Sequence, residues 1–240
     1  MTDLSKQPRD HKRFSVWHNL WGVLFKPRTA FDRIIASGDF IKAAIILAGI
    51  NVFFAALAAP KVAAFSKWSL ENRPLPPGVS PEQLAAMKTM IPKISAATSI
   101  GAALLGPLAI WLLMATILRV YNNFHGGRVS FQILFAVAVF AFAPHIIGFS
   151  LKSLLVAFAQ PENVQRVTVS LAALLPVSEI GPKFVFFSKL NPFTIWSLAL
   201  TAYGGSRAIG STFGKTAVFI FALWAVFVLL ETLSATRVSV

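Results

Sequence analysis

The sequence predicts an all-α, polytopic membrane protein: five transmembrane helices behind an N-terminal amphipathic, interfacial region. Three observations carry this. The 240 residues are 56% hydrophobic and only 13% charged, with a mean hydropathy of +0.68, outside the range of ordinary soluble domains. The apolar residues come in runs of about 20, the length that crosses roughly 30 Å of hydrocarbon at 1.5 Å per residue. These runs are continuous rather than alternating, and each is about twice the length of a barrel strand, which excludes a β-barrel.

The net charge is +13. The basic residues lie mostly before and between the apolar runs, a placement that suits anionic lipid headgroups and membrane orientation rather than nucleic acid. There is no cysteine, so disulfides, thiol catalysis and cysteine-ligated metals are excluded. The first 39 residues hold seven Lys/Arg and no apolar core that ends at a small-residue cleavage site. The first span is therefore expected to act as its own signal and remain.

Residues 1–39 form the first region. Residues 1–13 are polar and basic. In "FSVWHNLWGVLF", Phe14, Trp17, Trp21, Leu24 and Phe25 recur at helical spacing on one face. Pro27 can then start a second short helix, "PRTAFDRIIAS", with Phe31, Ile34 and Ile35 on one side. Lys12, Arg13, Lys26, Arg28 and Arg33 flank these faces. Such helices either lie in the membrane interface, with Trp17 and Trp21 as anchors, or pack on the protein's own loops.

Residues 40–235 form the transmembrane domain. The first span covers about 40–59, with Lys42 at its edge and Asn51 near its middle. An extramembrane loop is expected over 61–93. "NRPLPPG" breaks any helix there, and "SPEQLAAMKTMI" restarts one: Ser80 can cap, Pro81 suits the first helical position, and Glu82 and Gln83 suit the first turn. The second span covers about 95–118 and contains Gly101, Gly106 and Pro107. The third, about 131–159, is longer than a bilayer needs, so a tilt, a kink or two pieces is expected around Pro144. The piece "VSLAALLP" is too short to span and reads as interfacial or re-entrant over 168–176. Asn191 caps and Pro192 opens the fourth span, about 191–207; the fifth covers about 215–233, with Glu231 near its end. The totals of basic residues on the two sides nearly balance, but the density before the first span places the N-terminus in the cytoplasm and the C-terminus outside. No internal repeat supports an inverted-repeat transporter.

Candidate chemistry is sparse. His11, His18, His125 and His145 form no metal-binding spacing. His125, Gly126 and Gly127 make a Gly-rich loop. Two glycines could cradle a phosphate, but no P-loop lysine follows, and a tight turn is favoured. His145 and Lys152 lie two helical turns apart on one face, next to Pro144, which frees a backbone carbonyl one turn earlier. Ionisable groups within a membrane are functional candidates. The structural alternative is that His145 bonds a neighbouring helix and Lys152 reaches for water or pairs with Glu231. No carboxylate is expected at the depth of His145, so a Ser–His–Asp arrangement gains no support. Neither enzyme activity nor a metal or cofactor is expected.

Several stretches resemble the Ypt-interacting protein (Yip) family in its short bacterial form: "LFKPRTAFDRI" before the first span, "GPLAIWLL" in the second, "HGGRVSFQILFAVAVFAFAP" into the third and "LNPFTIWSLAL" opening the fourth. The resemblance covers roughly residues 15–235. Each motif alone is weakly specific; their order and spacing carry the match. It implies a five-helix integral membrane protein. Eukaryotic relatives are associated with vesicle trafficking at the endoplasmic reticulum and Golgi and with small Rab-type GTPases. Two departures put such partners in doubt. Ala103, Leu104 and Leu105 precede Gly106 and Pro107 where the eukaryotic family has an acidic residue and a tyrosine, and Phe142 stands where a tyrosine often precedes the third-span proline.

The expected role is a non-catalytic membrane organisation or trafficking-type interaction factor in a bacterial inner membrane. Its expected contacts are the lipid bilayer, a protein partner and a second copy through Gly101 and Gly106. The alternative is a channel or transporter for an ion, small solute or lipid.

Overall fold

A computed structural model describes residues 15–72, 78–176 and 181–238. Phe14, Lys12, Arg13 and His11 lie outside them. The described elements are all helical. Two short helices, α1 (Val16–Phe25) and α2 (Pro27–Ser37), precede the long ones. α2 starts at Pro27, whose fixed φ and missing N–H suit a first helical turn, and ends at Gly38 with φ +64°. Leu20 and Val23 of α1 and Ala30, Phe31 and Ile34 of α2 are buried. The helix pair is thus part of the main core, while Trp17, Trp21 and Phe25 remain exposed on its outer side. Of the two expectations for this region, packing on the protein itself is met, against the main core.

α3 (Ile41–Asn72) and α4 (Pro81–Asn123) pack along each other. α3 corrects one expectation: the loop expected from residue 61 is helical to Asn72. Pro60 sits inside the helix without ending it. Val62 and Phe65, beyond the proline, pack against a small cluster of Ala58, Val156 and Val164. That packing holds the extension helical against proline's local preference. α4 starts where expected. Ser80 accepts from the Gln83 N–H at 3.2 Å, and the Gln83 side chain accepts from the Ser80 N–H at 2.9 Å, a reciprocal capping box. The helix then runs 43 residues through Pro92 and Pro107, about 65 Å of helix, twice what a bilayer needs. The helix restarted at Pro81 and the second span are one continuous helix.

The third segment is two pieces. α5 (Phe131–Ala141) and α6 (Ala143–Phe158) meet at Phe142. Pro144 cannot donate to the Phe140 carbonyl, so the chain closes a tighter turn, Phe142 N–H to Val139 carbonyl at 3.3 Å, and places Pro144 in the first turn of α6, where its ring is tolerated. A 3-10 turn at Pro161–Arg166, another at Leu171–Leu174 and the short α7 (Pro182–Lys189) follow. Within 168–176 the backbone makes only that single turn, joined to α7's end through Leu171 N–H to Leu190 carbonyl at 3.1 Å. α8 (Pro192–Ile209) is capped by Asn191, whose side chain accepts from Phe193 N–H at 2.9 Å. α9 (Phe213–Val238) closes the chain.

Four stretches are long and apolar enough to cross a membrane among the described residues: Ile41–Asn72, Pro81–Asn123, Phe131–Phe158 and Phe213–Ala235. The expected count of five is therefore not met by length and composition alone. α8 has only 18 residues and carries Ser197, Thr201, Ser206 and Arg207. It lies among the other helices, with eight positions buried, so it needs less hydrophobicity than a lipid-facing helix.

The two ends of the helical body are tied by different contacts. At one, Arg207 of α8 bonds Asp32 of α2 at 2.5 Å, and Gln132 of α5 donates to the Gly38 carbonyl at 3.3 Å. At the other, Lys189 of α7 pairs with Glu231 of α9.

Candidate functional site

Two prolines inside the helical body each have a polar side chain from a neighbouring helix beside them. A proline at position i leaves the carbonyl at i−4 without its helical donor. In α4 that proline is Pro107 and the carbonyl belongs to Ala103. Asn51 of α3 supplies the missing donor, Nδ2 to Ala103 O at 2.7 Å. Because a carbonyl only accepts, the contact fixes the amide orientation, and the Asn51 Oδ1 faces away from it. Asn51 is 5% exposed, and its Oδ1 has no protein partner.

In α6, Pro144 is followed by His145. The His145 N–H lies past the break and donates to Ser197 Oγ of α8 at 3.0 Å, while the imidazole Nδ1 stands 3.4 Å from Thr194 Oγ1. The ring stacks on Phe142, with centroids 4.5 Å apart and planes 27° apart. His145 therefore bonds a neighbouring helix, the structural alternative read from the sequence.

Asn51 and His145 meet at a cavity of about 200 Å³. Ser99, Ala102, Ala103, Gly106, Pro107 and Ile110 of α4 form one wall, and Phe142 and Phe149 complete it. Three polar side chains thus share a mostly apolar space. Asn51 is eleventh in α3, and His145 is near the middle of Phe131–Phe158, so the cavity lies at mid-span.

The other candidates are elsewhere. Lys152 is exposed and does not line the cavity. Glu231, offered as its partner, pairs with Lys189 instead, because α7 packs back against α9. Gly126 and Gly127 have φ of +92° and +62°, backbone that an L side chain adopts at a cost. The Gly127 N–H returns to Asn122 O at 2.9 Å, and His125 Nδ1 lies 3.0 Å from Tyr121 O. The loop is a tight turn whose donor is spent on the end of α4. Trp17 and Trp21 are 54% and 61% exposed, and Trp21 stacks on Phe25 at 5.6 Å. No three His, Asp or Glu side chains gather as a metal site among the described residues.

Sequence reasoning missed Ser99, Thr194 and Ser197, and the pairing of Asn51 with Pro107. A signal was present. At Pro107 the proline names an orphan carbonyl for which an intramembrane Asn is a natural donor, and at Pro144 the restarted helix leaves an N–H that a Ser hydroxyl can accept.

The family model described as Yip1 domain matches residues 21–233, from α1 to α9. The chain belongs to the Yip1 family. In this Yip1-domain protein the match takes in the second half of α1, with Trp21 and Phe25, and all of α2, while Trp17 lies before it. No curated protein and no solved structure matches the chain.

Proposed function

We propose that this Yip1-domain membrane protein is a non-catalytic interaction factor whose working surface is the outer face of α1. One observation carries the reading: Trp17, Trp21 and Phe25 are 54%, 61% and 67% exposed on a helix whose other side is buried. The face is rigidly mounted, since Phe31 and Ile34 of the adjoining α2 lie in the main core and Asp32 is tied to Arg207. Indole rings on a fixed helix, with Lys26 and Arg28 exposed nearby, favour a bilayer interface and a protein docked there. The seven basic residues before the first span support a cytoplasmic position for this face in a bacterial inner membrane. Self-association through α4 is a further part of the proposal, supported by open space around Gly101.

The test is site-specific photo-crosslinking with benzoylphenylalanine at position 17, at 21 and, as a lipid-facing control on α9, at 229, which is exposed. The reading predicts a discrete protein adduct at 17 or 21 and lipid adducts alone at 229. Lipid adducts alone at all three would defeat it. A second reading, transport, is favoured by the cavity at His145. It requires water to reach that residue.

A further inference from the structure

We propose that the cavity among α3, α4 and α6 is a binding site for the hydroxyl end of a neutral lipid alcohol of the diacylglycerol class, the hydroxyl donating to Asn51 Oδ1. This goes beyond the interaction role and does not rest on it.

The requirement for a donor comes from Asn51. Its Nδ2 is spent on Ala103 O, and its Oδ1 is buried without a partner beside a cavity. A buried acceptor left unmade is costly in an apolar surrounding, so an occupant that donates is selected. The lining has no carboxylate, lysine or arginine, so neither a cation nor an anion finds a counter-charge there. A hydroxyl both donates and accepts. Ser99 Oγ, whose proton goes to Ala96 O at 2.8 Å, keeps lone pairs, and the His145 ring keeps Nε2, since Nδ1 faces Thr194.

Volume argues for an apolar body behind the hydroxyl. The cavity of about 200 Å³ has room for about six waters at liquid density, each of which needs two to four polar partners. With three polar side chains to anchor them, such waters would have to bond mostly one another, whereas Ala102, Gly106, Pro107, Ile110 and Phe149 suit a hydrocarbon. The space is also below the roughly 300 Å³ at which whole-ligand pockets begin, so it takes one end of a longer molecule. The cavity is partly open, and mid-span the exterior is lipid. A neutral alcohol reaches that depth far more readily than a charged headgroup.

The probe is a diacylglycerol carrying a diazirine and an alkyne, irradiated with the full chain in nanodiscs. The same lipid with its hydroxyl capped as a methyl ether is the control. The expected result is labelling of peptides from α3, α4 and α6 that line the cavity, competed by dioleoylglycerol and reduced about tenfold for the ether, as for a lost buried hydrogen bond. Asn51→Leu should reduce labelling similarly. Gly106→Leu guards against a folding artefact: a Cβ there meets nothing within 4 Å, and a longer side chain on that cavity-lining position should abolish the labelling while the melting temperature stays at the parent value. Equal labelling by alcohol and ether, labelling that survives Gly106→Leu, or labelling spread evenly over the lipid-facing helices would overturn the proposal. So would no labelling above background, the result expected of a cavity that takes only water.

Discussion

Two spans of this molecule have nearly the same hydropathy and opposite surroundings. The 18-residue apolar window within Phe131–Phe158 has a mean hydropathy of 2.1 and is 67% buried, while that within Phe213–Ala235 has 2.2 and is 17% buried. Hydropathy marks what can enter a membrane, but not what lies inside the bundle. Lipid tails are as apolar as leucine, so helices gain nothing by hiding apolar surface from each other. Close approach and a few hydrogen bonds do the work. The central span supplies Ala136, Ala138, Ala141 and Ala143, all buried, while α9 shows exposed Val226, Phe227, Leu229 and Leu230. α8, shorter and more polar, joins the centre. A Cβ on its Gly204 would lie 2.6 Å from Phe31 and 2.7 Å from Val137.

The largest break in this comparison should come from filling that contact. Gly204→Leu is expected to cost about 3 kcal/mol or more by overpacking, enough to prevent assembly. Gly101→Leu on the outer α4, where a Cβ meets nothing within 4 Å, should leave the melting temperature in detergent unchanged. Similar melting for the two variants would erase the distinction. Next is Asn51→Leu, which leaves the Ala103 carbonyl bare but also removes the idle Oδ1. A loss of about 1–2 kcal/mol is expected, read by denaturant unfolding in micelles. No loss would mean that the bond across α3 and α4 is incidental.

The smallest effect belongs to the outer end of α4. The Ser80 hydroxyl, 2.8 Å from Glu82, holds that carboxylate below its ordinary value of 4.5. A depressed carboxylate contributes stability that is fully present above the unfolded value and is lost as pH falls through the folded one. Hydrogen exchange at residues 81–88 should therefore quicken relative to α5 as pH drops below about 4.5, after correction for intrinsic rates. Unchanged protection would remove Glu82 from the account of this helix start.

The fold was legible wherever local chemistry decides it. Ser80, Pro81 and Gln83 announce a helix start, Asn191 and Pro192 another, Pro27 a third, and Pro144 a break. Misreadings arose where distant packing overrides local preference. Pro60 reads as an end until Val62 and Phe65 find Val164. Glu231 reads as Lys152's partner until α7, packed against α9, brings Lys189 to it. For the site, Asn51 and His145 were visible as polar residues in apolar runs, but their shared cavity depends on how α3, α4 and α6 cross, which no single run encodes. Ser197 was hidden because a serine in a span is ordinary until a proline on another helix leaves an N–H for it.

Whether water reaches that cavity decides between a packed interaction factor and a transporter. Since the chain has no cysteine, His145→Cys gives a single thiol, with Phe124→Cys, at a position 79% exposed, as the positive control. In nanodiscs both sides meet the solvent. The account predicts that a charged, membrane-impermeant thiol reagent labels position 124 and spares 145, while a lipid-soluble reagent reaches 145. Rapid labelling of 145 by the charged reagent would establish an aqueous route to mid-span and contradict the account.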